Sequence, residues 1–192
     1  MNVQKNVSIK YTKVVSAFLA GAVIALGSAT NVSAEPISPD VQAKIEHYKA
    51  KLTEWAANPA IVAAVKNSNA KGGLVHDMSN AKWDDLKDND PAVTDIQNSD
   101  ASKFLKTQET DKGINKLYAR DGKGNLVAGA SKPALYNNAS RPPFKNAIDG
   151  KAYVDSEVKE DLTTKKKSVQ LSVPIMSEGK AIGVLHTAVT AN

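Results

Sequence analysis

The sequence predicts an α+β domain in which the helices come first and an antiparallel sheet follows. Three observations carry this. Residues 38–55 hold a single apolar stripe at helical spacing. After Gly113 the apolar pattern changes to strand-like runs, with period-two alternation clearest near the C-terminus. The last three strand-like runs are joined by turns too short for a crossover helix, so they form an antiparallel meander.

The first helix starts at Ser38-Pro39-Asp40. Serine caps the exposed amides, proline suits the first helical position, and aspartate favours the positive end of the helix dipole. Val41, Ile45, Tyr48, Leu52 and Trp55 then recur at steps of four and three, which makes one apolar face. The steps are also heptad-like, so core packing and a homodimer through this N-terminal helix both remain open. Asn58-Pro59 repeats the cap-then-proline signal and opens a second helix to about Asn67. Residues 68–99 are polar, with Gly72-Gly73 and the acidic run "WDDLKDND". They read as a long surface excursion with one helical turn near Trp83. Asn98-Ser99-Asp100 caps a short helix to about Thr107.

"INKLYAR" and "NLVAGA" then flank Asp121-Gly122-Lys123-Gly124, the composition of a hairpin turn. "PPFKNAID" is a short helix opened by Pro142 or Pro143 and closed by Gly150. "AYVDSEVKE" reads as one strand. "SVQLSVPIM" alternates, with Val169, Leu171, Val173 and Ile175 on one face, and Ser177-Glu178-Gly179 turns into the last strand, "KAIGVLHTAV".

The chain has 192 residues, and residues 1–34 read as a signal peptide. Lys5, Lys10 and Lys13 precede an apolar run from Val14 to Ala29, and Val32 and Ala34 occupy the −3 and −1 positions of a cleavage site. The run is short of the roughly 20 apolar residues that span a bilayer, so the expectation is cleavage after Ala34 and no stable membrane anchor thereafter. The mature part, residues 35–192, is then one periplasmic or secreted domain. Removing the leader's three lysines takes the formal charge from +5 to +2, so charge implies no nucleic-acid partner. With no cysteine in the chain, disulfides and a lipoprotein anchor are excluded.

No motif points to catalysis. Gly-x-Ser-x-Gly is missing, and no pair of carboxylates is singled out. His47, His76 and His186 share no ligand spacing, so no zinc site is expected. The acidic run from Asp84 to Asp90 lacks the central glycine and distant glutamate of a calcium loop. Lys165, Lys166 and Lys167 suit a solvated turn, and Gly122-x-Gly124 lies between strands rather than before a helix, so no cofactor is expected. The sequence gives a non-enzyme, with an unrecognised secreted enzyme as the remaining alternative.

The richest stretch is "YNNASRPPFKNAIDGKAYVD", residues 136–155. Together with "LYARDGKGNLVAGA" before it and "SVQLSVPIMSEGKAIGVLHTAVT" after it, it resembles the Cache domains, the PAS-like extracytoplasmic sensors of bacterial chemoreceptors and histidine kinases. The resemblance implies a central antiparallel sheet of five or six strands with the long helix along one face. It also implies a pocket between the other face and the segment that joins the second and third main strands. Amino-acid-binding members carry Tyr-x4-Arg, then aromatics, then Tyr-x-Asp. Here Tyr136, Arg141, Phe144, Tyr153 and Asp155 take those places and become the expected ligand-binding residues. An arginine can hold a carboxylate through two parallel hydrogen bonds, and an aspartate with aromatic rings can hold an ammonium. Pro143 stands where those members have tryptophan, so other carboxylates, amines and purine-like ligands stay open. With no output module in the chain, the resemblance implies a small-molecule ligand and a partner such as a membrane receptor or sensor kinase. A Cache-fold interaction protein without a ligand is the alternative.

Overall fold

The computed structural model describes residues 35–161 and 163–191. The expected leader and its cleavage site at Ala34 lie outside the described residues. A two-residue strand β1 (Glu35–Pro36) leads into five helices: α1 (Pro39–Ala56), α2 (Pro59–Lys71), α3 (Asn80–Asp85), α4 (Pro91–Gln97) and α5 (Asp100–Gln108). The hairpin β2 (Ile114–Asp121) and β3 (Leu126–Gly129) follows, then helix α6 (Pro142–Ile148) and strands β4 (Tyr153–Val154), β5 (Glu157–Glu160), β6 (Lys167–Ser177) and β7 (Lys180–Thr190).

All strand pairs are antiparallel, and the sheet order is β1-β5-β6-β7-β2-β3, with β4 also pairing β6. The last three long strands form the expected meander, and α1 crosses β6 and β7 on one face. Ser38 caps α1 by accepting from the Val41 amide. All five stripe residues, from Val41 to Trp55, are buried in the main core together with Val169, Leu171, Val173 and Ile175 of β6. The stripe is therefore used up within the domain, which removes it as a free surface for a dimer.

Three sequence expectations are corrected. Helix α2 continues past Asn67 to Lys71 and stops at Gly72, whose φ of +75° lies in the left-handed region that ends helices. The stretch 68–99 is no mere surface excursion: α3 and α4 fold in it, and Trp83, Val93 and Ile96 build a second core with Tyr118, Leu126 and Tyr136. Asp90-Pro91 is the same cap-then-proline signal as the first two helices carry, and the Asp90 side chain accepts from the Ala92 amide at 2.9 Å. Finally, "AYVDSEVKE" is two strands. Tyr153 faces Ser172 and Lys159 faces Ser168, so the register along β6 slips by two residues between β4 and β5. The slip falls at the bend of Ser156, while the Asp155 amide still donates to the Gln170 carbonyl at 2.9 Å.

Because side chains alternate across a strand, the same strands present a different face away from α1. There β6 offers Ser168, Gln170 and Ser172, β2 offers Lys116, Tyr118 and Arg120, and β7 offers His186 and Ala188. The second core covers this face at the β2–β3 end. Gly129 is required there, since a Cβ on it would lie 2.5 Å from the Tyr118 ring. Helix α6 covers another part, packing Phe144 and Ala147 on Val184. Between these two covers the polar face stays open.

Candidate functional site

The open part of the polar face is the floor of a hollow of about 630 Å³. Its roof is the chain from Pro133 to Pro143, and its side is the β4–β5 segment from Tyr153 to Asp161. The size lies within the roughly 300–1,000 Å³ of small-molecule sites.

The roof is fixed from both sides. From below, the Arg120 guanidinium donates from Nη1 to the carbonyls of Tyr136 (2.6 Å) and Gly124 (3.2 Å) and from Nη2 to that of Leu135 (3.0 Å). From outside, Trp83 Nε1 donates to the Pro133 carbonyl at 2.8 Å. Asn80 clasps Asn137 through its backbone in both directions, and the Tyr136 hydroxyl accepts from the Val75 amide. The 72–98 region thus acts as the clamp that holds the roof over the sheet.

Arg141, Tyr153 and Asp155 line the hollow. Arg141 is exposed at its rim, at the N-cap position of α6, where its side chain makes no capping bond. Asp155 accepts from the Tyr153 hydroxyl at 2.8 Å and lies 3.5 Å from Lys159 Nζ. Burial, then the neighbouring Asp155, pushes the Tyr153 hydroxyl up to about 12, so it stays a donor at every ordinary pH. Tyr136 and Phe144 are placed elsewhere. Tyr136 is 1% exposed and stacks obliquely on Trp83 in the second core, and Phe144 is 4% exposed beneath α6. Both support the roof instead of lining the hollow.

Several polar residues beside the hollow were not singled out from the sequence. Arg120 is only 4% exposed, and its Nε is buried without a hydrogen-bond partner among the described residues. Burial lowers its guanidinium to about 10. His186 sits between the Ser172 hydroxyl (2.7 Å from Nδ1) and the Asn138 carboxamide (3.3 Å from Nε2). Desolvation, aided by the Arg120 charge, holds its pKa well below the usual imidazole range, so it is neutral at pH 7. This row of hydroxyl, imidazole and carboxamide resembles a catalytic dyad with its orienting group, but Ser172 is fully buried on the strand. The arrangement relays hydrogen bonds and presents no open nucleophile. At the far end, Lys116 bridges to Asp161 at 2.6 Å. Burial alone would raise the Asp161 carboxyl, but bonds from Lys116, Thr163 and two backbone amides hold it well below the usual range. Among the described residues, no group of three His, Asp or Glu side chains could hold a metal, and no helix is long and apolar enough to cross a membrane.

The period-two pattern was the signal for the missed floor. In "KLYAR" the buried Leu117 and Ala119 alternate with Lys116, Tyr118 and Arg120, which must then share the opposite face.

A long helix along one face of an antiparallel sheet, with a hollow on the other face under the segment that joins the second and third main strands, is the arrangement that the resemblance implied. Solved structures to which the chain is similar include the sensor domain of the histidine kinase DctB of V. cholerae, with 19% identity, a TM-score of 0.41, and coverage of 79% of this chain and 57% of that one. The sensory domain of the Campylobacter jejuni chemoreceptor Tlp3 with isoleucine bound is similar at 15% identity and a TM-score of 0.39, covering 80% of this chain and 64% of that one. The E. coli DcuS sensor domain is similar at 12% identity and a TM-score of 0.40, covering 68% and 91%. The chain therefore spans less than two thirds of the DctB and Tlp3 sensor domains. No family model matches the sequence, and no curated protein matches it.

Proposed function

We propose that this Cache-type domain is an extracytoplasmic, sensor-type binding module for a small charged metabolite, an amino acid or another carboxylate, and that it reports occupancy to a partner protein. The observation that carries the reading is the hollow itself: a polar floor under a fixed roof, with Arg141 on one wall and Asp155 on another. The Arg141 guanidinium has no ion pair among the described residues, so a carboxylate arriving there meets a donor fork that is not already spent. Asp155 and the Tyr153 ring offer the complementary end for an ammonium. A ligand that touches both roof and floor binds the closed arrangement better than any open one, and that difference in affinity is what a receptor or kinase partner would read.

A thermal-shift screen with amino acids, organic acids, amines and nucleobases tests this. A ligand at 100 times its dissociation constant raises stability by about 2.7 kcal/mol. Arg141→Ala is expected to abolish the shift while leaving the unliganded melting temperature within a degree or two. A panel without a single hit, alongside a stable complex with a partner protein, would favour an interaction module with a dead pocket.

A further inference from the structure

The charges around the hollow are not balanced in the same way. Each carboxylate on its side wall already has a cation: Asp155 has Lys159, Glu160 has Lys165, and Asp161 has Lys116. The buried guanidinium on the floor has no such partner. Arg120 spends its Nη atoms on three backbone carbonyls, which satisfy hydrogen bonds but carry no net negative charge. Its Nε is buried without any partner among the described residues. The one carboxylate beside it in sequence, Asp121, projects from the other face of β2 and offsets the Arg120 charge from behind the strand, away from the hollow. That carboxylate is committed to four donors: the Ser68 hydroxyl, the amides of Lys123 and Asn125, and the Asn125 side chain. The imidazole of His186, the nearest titratable group on β7, is neutral and offers no compensation. With its counter-charge behind the strand and its guanidinium on the hollow side, Arg120 turns a positive field into the half-enclosed hollow, which favours an anion there.

We propose that Arg120 is the specificity-determining residue of the hollow: it makes a negative charge on the ligand obligatory, and through the three carbonyls it sets the height of the roof above that charge. This rests on the binding reading above and narrows it to organic anions, zwitterions with a free carboxylate included, over amines and neutral nucleobases. Arg141 at the rim then captures the anion by contact. Arg120 selects it by sign from below, as a positioning and electrostatic residue whose Nη atoms stay on the roof.

The test pairs each carboxylate with its own carboxamide, a neutral group of nearly the same shape. The twenty standard amino acids and the C3–C6 dicarboxylates, with the amide of each, are titrated by calorimetry against the wild type, Arg120→Gln and Arg120→Lys. The wild type is expected to prefer the carboxylate by at least about tenfold, the scale of one charge-assisted contact. Arg120→Gln is expected to bring the two within about threefold of each other. Arg120→Lys keeps the charge but lacks the fork, so both members of a pair should weaken while their ratio holds. If Arg120→Gln does not fold, the lysine variant decides alone: loss of the ratio with the charge retained overturns the proposal. A folded Arg120→Gln with the wild-type ratio overturns it as well, and leaves the binding reading intact. Wild-type hits among amides or amines with none among carboxylates do the same. No wild-type hit of any kind removes the binding reading itself.

Discussion

The two faces of this sheet are built from alternate residues of the same strands, and they obey opposite rules. On the α1 face, Val169, Leu171, Val173 and Ile175 share a hydrophobic core with Ile45 and Leu52. On the other face, Ser168, Gln170 and Ser172 alternate with them, and Arg120 and His186 join from the neighbouring strands. One face holds the domain together through area removed from water. The other holds a space open, and it does so with hydrogen bonds and clamps: Arg120 on three carbonyls, Trp83 on Pro133, Asn80 on Asn137.

The sharpest way to break the contrast is at the clamp. Trp83→Ala removes a fully buried ring and its bond to Pro133, so a loss of about 3–5 kcal/mol is expected. It should also raise hydrogen exchange in the roof, residues 133–141. A loss of stability with the roof unchanged would separate the second core from the hollow. Next comes the core face. Leu171→Ala should cost about 2–5 kcal/mol in denaturant unfolding, whereas Gln170→Ala, one residue away on the exposed floor, should stay within about 0.5 kcal/mol. Equal costs would mean that the two faces are not distinct.

Smaller effects come from the buried charges at the rim of the polar face. Burial, partly offset by Lys116 and Lys166, raises the Glu109 carboxyl to about 6, and its Oε2 is buried without a partner. With the folded pKa above the unfolded one, this group favours the folded state at low pH, and that contribution is lost as pH rises through about 6. Glu109→Gln should therefore stabilise the protein at pH 7 by on the order of 1 kcal/mol, discounted for partial exposure, and flatten the melting curve between pH 4.5 and 6. Asp161 has the opposite sign. Its folded pKa is depressed, so its contribution is present above the usual carboxylate pKa of about 4 and disappears below it. Asp161→Asn should make the melting temperature fall less steeply from pH 4 to pH 2.

The core face was legible in the sequence, and the open face only in part. The stripe from Val41 to Trp55 and the alternation of β6 name the buried residues directly, because burial selects residue type position by position. The hollow was located through the run from Tyr136 to Asp155, and Arg141, Tyr153 and Asp155 do line it. Tyr136 and Phe144 were misplaced because a large amphipathic ring reads the same whether it packs or binds. Arg120 and His186 escaped because their role depends on neighbours 16 and 48 residues away, Tyr136 and Asn138. No local pattern encodes such pairings. The clamp around Trp83 was hidden by its acidic neighbours, which suggested a solvated loop, although Asp90-Pro91 marked a helix start.

The claim that the open face is a binding site is tested most directly by a crystal structure of the protein with the best carboxylate from the screen. The account predicts density for that molecule between the sheet and the roof, with its carboxylate turned toward the Arg120 and Arg141 side and any ammonium toward Asp155. A ligand bound elsewhere on the surface, or a hollow filled only by the Arg141 side chain folded down onto Asp155, would contradict it.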